Sequence, residues 1–145
     1  MTEKNLDSRL AIALLLIRVG VASVFIMWTI DKLLNPEHTA RVFAAFYMID
    51  SLSVTASYII GAIQMVVVLA FLAGAAKKYS YMAIFVMHLI SSLSTYERYF
   101  DPWTGTNLLF FAALPMLAGC WALWSLREHD SILSFDSMRS KGSDL

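Results

Sequence analysis

The sequence has little charge and almost no cysteine. Only 15% of its 145 residues are Asp, Glu, Lys or Arg, against about 25% in an ordinary soluble domain. The 11 basic residues equal the 11 acidic ones, so the chain has no basic field of the kind that binds nucleic acid. Cys120 is the single cysteine, which excludes an internal disulfide, a paired-cysteine redox motif and a cysteine zinc site. A soluble globular protein and a DNA-binding protein are both excluded.

Hydrophobic residues, in contrast to the scarce charged ones, make up 59% of the sequence and occur in long runs. A helix needs about 20 largely apolar residues to cross the hydrocarbon layer of a membrane. Four segments approach or exceed this length and are predicted to be spanning helices: residues 10–34, 55–72, 81–94 with an extension toward residue 100, and 108–124. The third has only a short strictly apolar part. The predicted fold is an all-α, integral membrane four-helix bundle.

Basic residues are distributed unequally between the two sides of this bundle. Seven of the 11 lie in the N-terminal segment, the second loop and the C-terminal segment, whereas three lie on the opposite side. Cytoplasmic loops carry an excess of Lys and Arg, so both termini are predicted to be cytoplasmic. Residues 1–126 then form the transmembrane domain and residues 127–145 a polar cytoplasmic tail. The predicted location is the inner membrane, with several crossings of the lipid bilayer.

The first outer loop is predicted to contain an amphipathic helix. Asn35, Pro36 and Glu37 form a typical helix start, with an N-cap, a proline in the first turn and an acid near the positive end of the helix dipole. The apolar residues that follow fall near one helical face: Val42, Phe43, Phe46, Tyr47 and Ile49. We expect either a connector lying on the membrane surface or a lid over an outward-facing site.

Three polar side chains lie inside the predicted spans, where ionisable groups are costly and often functional. At a rise of 1.5 Å per residue, Arg18, Gln64 and His88 lie about 11–15 Å from the cytoplasmic boundary. At a shared depth, the guanidinium and the amide can bind a carbonyl or an oxyanion, and the imidazole can exchange a proton. A quinone head group or a small oxyanion fits this set. The alternatives are a hydrogen-bonded knot that holds the helices together and an Arg18 side chain extended toward the cytoplasm.

No carboxylate is expected beside these three groups, so a paired-carboxylate mechanism is not predicted and catalytic residues stay unassigned. His38 and His129 stand alone, without the spacing of metal ligands, so no metal site is predicted. The sequence also contains no haem-ligand pair and no flavin or nicotinamide motif. We therefore predict no intrinsic cofactor, and quinone is the ligand considered.

Charged residues also gather at the predicted outer ends of the helices. Asp31 and Lys32 end the first span, Glu97 and Arg98 follow the third, and Arg41 lies in the loop between the first two spans. We expect these residues to form interfacial ion pairs, which contribute little individually when exposed. The alternative is a gate or a docking patch for a protein partner.

Two stretches resemble the DoxX-like family of small four-helix bacterial membrane proteins. They are LLLIRVGVASVFIMWTIDKLLNP at residues 14–36 and GAIQMVVVLAFLAGAAKK at residues 61–78, and the resemblance extends over roughly residues 10–125. The chain departs from the family pattern at Thr29, where glycine is usual, and at Gln64, where glutamate is frequent.

The resemblance implies a membrane subunit close to quinone-linked or sulfur-linked redox chemistry. We therefore expect a subunit or accessory protein of a membrane oxidoreductase complex, which works with other protein subunits and is not catalytic alone. Two other classes of function stay open: a non-catalytic anchor or assembly factor that docks a partner, and a small transporter.

Overall fold

The structure, a computed structural model, describes residues 3–50 and 52–143. This part of the chain is helical and contains no strand. Its helices are α1 (Glu3–Leu34), α2 (Pro36–Tyr47), α3 (Val54–Leu72), α4 (Lys77–Ser94), α5 (Glu97–Phe100), α6 (Ala113–Ser125) and α7 (Phe135–Ser143). A 3₁₀ segment, Asn107–Ala112, leads directly into α6. The predicted all-α fold is confirmed.

Four of these helices pack side by side around one core. α1 packs against α3 and α6, and α4 packs against the same two helices. The largest apolar side chains that are fully buried between them are Leu14, Phe25, Phe71, Tyr81, Ile84 and Leu123. The remaining apolar faces of these helices are exposed, as expected where lipid rather than water surrounds a bundle.

Three helical segments in the described residues are long and apolar enough to cross a membrane: Lys4–Leu34, Val54–Leu72 and Asn107–Ser125. They coincide with the first, second and fourth runs predicted from sequence. Helix α4, with 18 residues, is more polar because it begins with two lysines and carries serines and a histidine further along. Its crossing of the membrane and the orientation of the termini therefore remain predictions.

Helix α2 is the amphipathic helix expected in the first loop, and it lies across one end of the bundle, which we call the α2 end. Asn35 precedes the first residue, Pro36, as predicted. The Asn35 side chain does not cap the helix, because its Nδ2 donates to Asp31 Oδ1 at 2.9 Å. Phe46 of α2 packs near Phe110, with ring centroids 6.1 Å apart.

At the opposite end of the bundle, part of the predicted polar tail folds back onto the helices. We call residues 130–137 the C-terminal clasp. Asp130 and Ser134 within it are completely buried. The backbone N–H groups of Phe135 and Asp136 donate to the carbonyls of Ala73 and Gly74, at 2.9 and 3.2 Å. The clasp thus satisfies carbonyls at the C-terminal end of α3, which a helix cannot satisfy by itself.

The clasp also completes the start of α4. The carboxylate of Asp136 accepts hydrogen bonds from the backbone N–H groups of Ala76 and Lys77, at 3.0 and 2.9 Å. Ala76, at the N-cap position, has no side chain that could do this. Asp136 therefore acts as the cap of α4 from a distant part of the sequence, at the helix end where a negative charge is favourable.

Candidate functional site

The guanidinium of Arg18 is completely buried and lies between α1, α4 and the C-terminal clasp. Its Nη1 donates to the hydroxyl of Tyr81 at 3.2 Å and forms an ion pair with Asp130 Oδ2 at 3.2 Å. Its Nη2 donates to the carbonyls of Ile132 and Leu133, at 2.7 and 3.0 Å. Both terminal nitrogens thus already face protein acceptors, so the ligand role predicted for Arg18 finds no free donor at either of them.

The expectation that no carboxylate accompanies Arg18 is wrong. Asp130 supplies one, and the hydroxyl of Tyr81 donates to the same carboxylate oxygen at 2.5 Å. Helix counting missed this partner because Asp130 lies outside every predicted span and returns to Arg18 only through the clasp. The side chain of Arg18 does extend toward the end where α3 and α4 meet, but protein covers it there.

Gly74, in the turn between α3 and α4, lies directly against the guanidinium of Arg18. Its φ of +61° is a backbone conformation that favours glycine. A Cβ atom at this position would overlap Arg18 Nη1 and would lie 3.0 Å from the backbone of Ser134. The turn between α3 and α4 therefore fits tightly against both the guanidinium and the clasp.

His88 occupies a different level of the bundle from Arg18. Its Nε2 lies 3.0 Å from the carbonyl oxygen of Ala113, and its ring centroid lies about as far from Phe25 as from Trp28, at 6.2 and 6.1 Å. Phe25 follows Arg18 by seven residues on α1, which is about 10 Å along a helix axis. The prediction that all three polar groups meet at one depth is therefore wrong. The depth estimate assumed that the helices begin at the same level of the bundle, and it ignored the length of the arginine side chain.

Gln64 lies instead beside a cavity of about 400 Å³ beneath α2, which we call the α2 cavity. The residue is only 8% exposed, and no described residue hydrogen-bonds to its amide. Lys32 lines the same cavity, and its Nζ donates to the carbonyl of Trp28 at 3.3 Å. Aromatic rings form much of the wall: Phe25, Trp28, Phe43, Phe46, Tyr47 and Phe110.

Helix α2 covers this cavity and is tied to α1 by one short polar contact. Nδ1 of His38 lies 2.6 Å from Asp31 Oδ2. Thr39, one residue further along α2, is buried and also lines the cavity. This is the placement that the lid interpretation of α2 requires.

The ion-pair network expected at the helix ends is not formed. Within the described part of the chain, none of Asp31, Lys32, Arg41, Glu97 and Arg98 lies within ion-pair distance of another. Helix α2 lies between the ends of α1 and α5 and contacts both, which keeps these charges apart. The polar contacts made instead, at 2.6–3.4 Å, are with Asn35, His38, Trp28, Tyr96 and Asn107.

The sequence singled out Gln64 correctly as a buried polar residue, but it assigned Lys32 to the membrane surface rather than to a cavity. The α2 cavity offers an amide, an ammonium group and aromatic walls, which can bind a polar ring through its carbonyl oxygens. No described group of three His, Cys, Asp or Glu side chains could hold a metal ion.

Comparison with known proteins supplies a family. The family model described as methylamine utilisation protein MauE matches residues 10–101, which is more than half of the chain and includes Lys32, Gln64 and His88. No curated protein and no solved structure matches. This family is not the DoxX-like family. The resemblance found in the sequence is therefore confirmed only in its general part, that the chain is a small membrane protein. The chain belongs to the MauE family of multi-pass membrane proteins.

Proposed function

We propose that this protein is an accessory subunit of a membrane oxidoreductase system and that its α2 cavity holds the ring of a quinone. The family description names methylamine utilisation. The carbon of methylamine is at the oxidation level of methanol, so its oxidation as a nutrient releases electrons that have to be passed on. In this proposal the electrons are carried by a partner subunit, while the accessory subunit binds and positions the quinone.

The observation that carries the proposal is the unpartnered amide of Gln64. The amide of Gln64 is open to the space of the α2 cavity, so its NH₂ donors and its oxygen are free for a ligand. A quinone carbonyl can accept from its NH₂ group. The cavity volume of about 400 Å³ falls within the usual range of small-molecule sites, about 300–1,000 Å³.

Lys32 gives this cavity a second donor, and a charged one. Its ammonium group has three N–H donors, and the carbonyl of Trp28 accepts from one of them. Hydrogen bonds from a charged donor are roughly twice as strong as neutral ones, so Lys32 would bind the second carbonyl of the ring. The aromatic side chains of the wall can then stack against the faces and edges of the ring.

The proposal includes the location predicted from sequence. The chain would cross the inner membrane with both termini in the cytoplasm, because basic residues are concentrated on that side. The α2 cavity would then face the outer surface, where a partner subunit can reach a quinone through or beside α2.

Binding of a quinone to the purified full chain tests the proposal. Gln64→Leu and Lys32→Met each remove one proposed hydrogen bond, so each should weaken the binding of decylubiquinone by about tenfold. Tyr58→Phe is the control, since Tyr58 lies on α3 outside the cavity and is 45% exposed. Unchanged affinity in both cavity variants would remove the α2 cavity from consideration.

A second candidate, a docking protein without a ligand, is favoured by a separate observation. Large apolar side chains are exposed outside the spanning helices near the α2 end: Met48 (91%), Phe100 (85%) and Trp103 (84%). A partner protein could cover them. The double variant Phe100→Ser/Trp103→Ser should then release a co-purifying partner while quinone binding is kept, and an unchanged co-purification would count against docking at this surface.

A further inference from the structure

A second cavity is an open groove of about 990 Å³ along the side of the bundle, between α1, α4 and α6. We call it the α1–α6 groove. Apart from Trp28, its walls on α1 and α6 are small or aliphatic, as at Gly20, Val24 and Ala118. Both helices belong to segments that are long and apolar enough to cross a membrane, so the groove faces hydrocarbon rather than water.

The groove adjoins the α2 cavity. The two spaces share four wall residues, Trp28, Ser91, Thr95 and Phe110. These four side chains therefore form the boundary between the two spaces.

The polarity of the groove changes along its length. Its hydroxyl and imidazole groups all lie on α4 or on Thr95, which directly follows α4, whereas the part near Ile17 is apolar. His88 is 1% exposed, and its Nδ1 has no hydrogen-bond partner in the described residues. From Trp28 to Ile17 the groove follows α1 for eleven residues, or about 16 Å. Such a gradient matches a molecule with a polar ring at one end and an apolar chain at the other.

We infer that the α1–α6 groove holds the isoprenoid tail of the quinone whose ring occupies the α2 cavity. The inference rests on the proposed function, which supplies the ring. A tail gains no hydrophobic free energy by leaving lipid for an apolar groove, so its contribution comes from close packing against small residues. A lipid acyl chain and a helix of a partner subunit are the competing occupants.

Gly20→Leu is a substitution that fills the groove without disturbing the fold. A Cβ atom at Gly20 would meet no atom within 4 Å, and leucine is a better helix former than glycine. Val19→Leu is the matched control, because the neighbouring Val19 is exposed on α1 but does not line the groove.

The test compares ubiquinone-0, which has no tail, with decylubiquinone, using the full chain in lipid nanodiscs and correcting for partition into the lipid. We expect the tail to tighten binding by about threefold or more through packing contacts. Gly20→Leu should abolish this difference and leave the affinity for ubiquinone-0 unchanged, whereas Val19→Leu should keep it. A decylubiquinone analogue with a photoreactive tail should label the α1 and α6 walls of the groove.

Each other outcome counts against the inference in a distinguishable way. A tail advantage that survives Gly20→Leu, or photolabelling spread evenly over lipid-facing residues, would overturn the tail path while the ring site stands. A tail that adds no affinity although ubiquinone-0 binds would mean that lipid or a partner helix fills the groove. If neither quinone binds, the proposed function fails and the tail path fails with it.

Discussion

Asp130 places its Oδ2 atom 3.2 Å from Nη1 of Arg18, and both side chains are completely buried. The arginine that lies within the first spanning helix is therefore neutralised by a residue from beyond the last one. Tyr81 joins the pair through its hydroxyl, so α1, α4 and the C-terminal clasp are held at one point. A buried ion pair of this kind adds little net stability, because both charges lose their hydration. Its main effect is to specify how these three segments pack together.

Loss of the carboxylate should be severely destabilising. Asp130→Asn leaves the guanidinium of Arg18 buried without a counter-charge, which should lower the free energy of unfolding by about 3–5 kcal/mol. The double variant Arg18→Met/Asp130→Leu should recover part of this loss, since it removes both charges. Thermal unfolding in detergent measures these changes.

The ion pair Arg127–Glu128, at 3.3 Å in the same part of the chain and with an exposed Glu128, provides the control for this comparison. Glu128→Gln should change stability by less than about 1 kcal/mol, as is usual for surface pairs. If the loss of stability in Arg18→Met/Asp130→Leu equalled the sum of the losses in the two single variants, the pairing of Arg18 with Asp130 would be contradicted.

Gly74 and Gly105 form a matched pair for testing how tightly the guanidinium is enclosed. Both have positive φ values, +61° and +57°, but a Cβ at Gly105 would meet nothing within 4 Å. Gly105→Ala should therefore cost only the backbone strain, about 1–2 kcal/mol. Gly74→Ala should cost a further 1–3 kcal/mol, roughly, from overpacking against Arg18. Chemical denaturation measures the difference, and equal losses would mean that the turn has room to adjust.

The cap that Asp136 places on α4 should be visible locally. Asp136→Ala should destabilise by about 1 kcal/mol, whereas Asp136→Asn should keep most of the capping effect. Hydrogen exchange should accelerate at the backbone N–H groups of Ala76 and Lys77 in the alanine variant. Equal protection in all three proteins would show that α4 does not depend on this cap.

The contact between Asp31 and His38 should control the opening of α2 more than the stability of the bundle. Both side chains are partly exposed, so His38→Leu should lower the free energy of unfolding by about 0.2–1 kcal/mol. Hydrogen exchange in α2 should nevertheless accelerate, and decylubiquinone should dissociate faster. The control is His129→Leu, because His129 is exposed far along the chain; if both variants released quinone at the wild-type rate, α2 would not act as a lid.

The parts of the fold that follow from local sequence were predictable. Continuous apolar runs indicated α1, α3 and α6, and Asn35-Pro36 marked the start of α2. Helix α4 was the least certain because its serines and His88 interrupt the apolar pattern.

The site depends on contacts between distant segments, and these were not predictable in the same way. Nothing in the local pattern around Asp130 indicates that it returns to Arg18. Helical periodicity relates neighbouring residues of one helix, and three further helices of the bundle, α3, α4 and α6, separate these two residues in the sequence. Gln64 was recognisable as polar within an apolar run, but the cavity beside it exists only because α2 folds across the bundle.

The cap on α4 also has a consequence for the order of assembly. The carboxylate of Asp136 lies about sixty residues further along the chain than the N–H groups it binds. During translation, the turn between α3 and α4 is therefore made before its cap, and α4 gains that cap only after α6 has been synthesised. Until then the first N–H groups of α4 lack this acceptor, so the capping of α4 has to follow the synthesis of α6 and of the clasp.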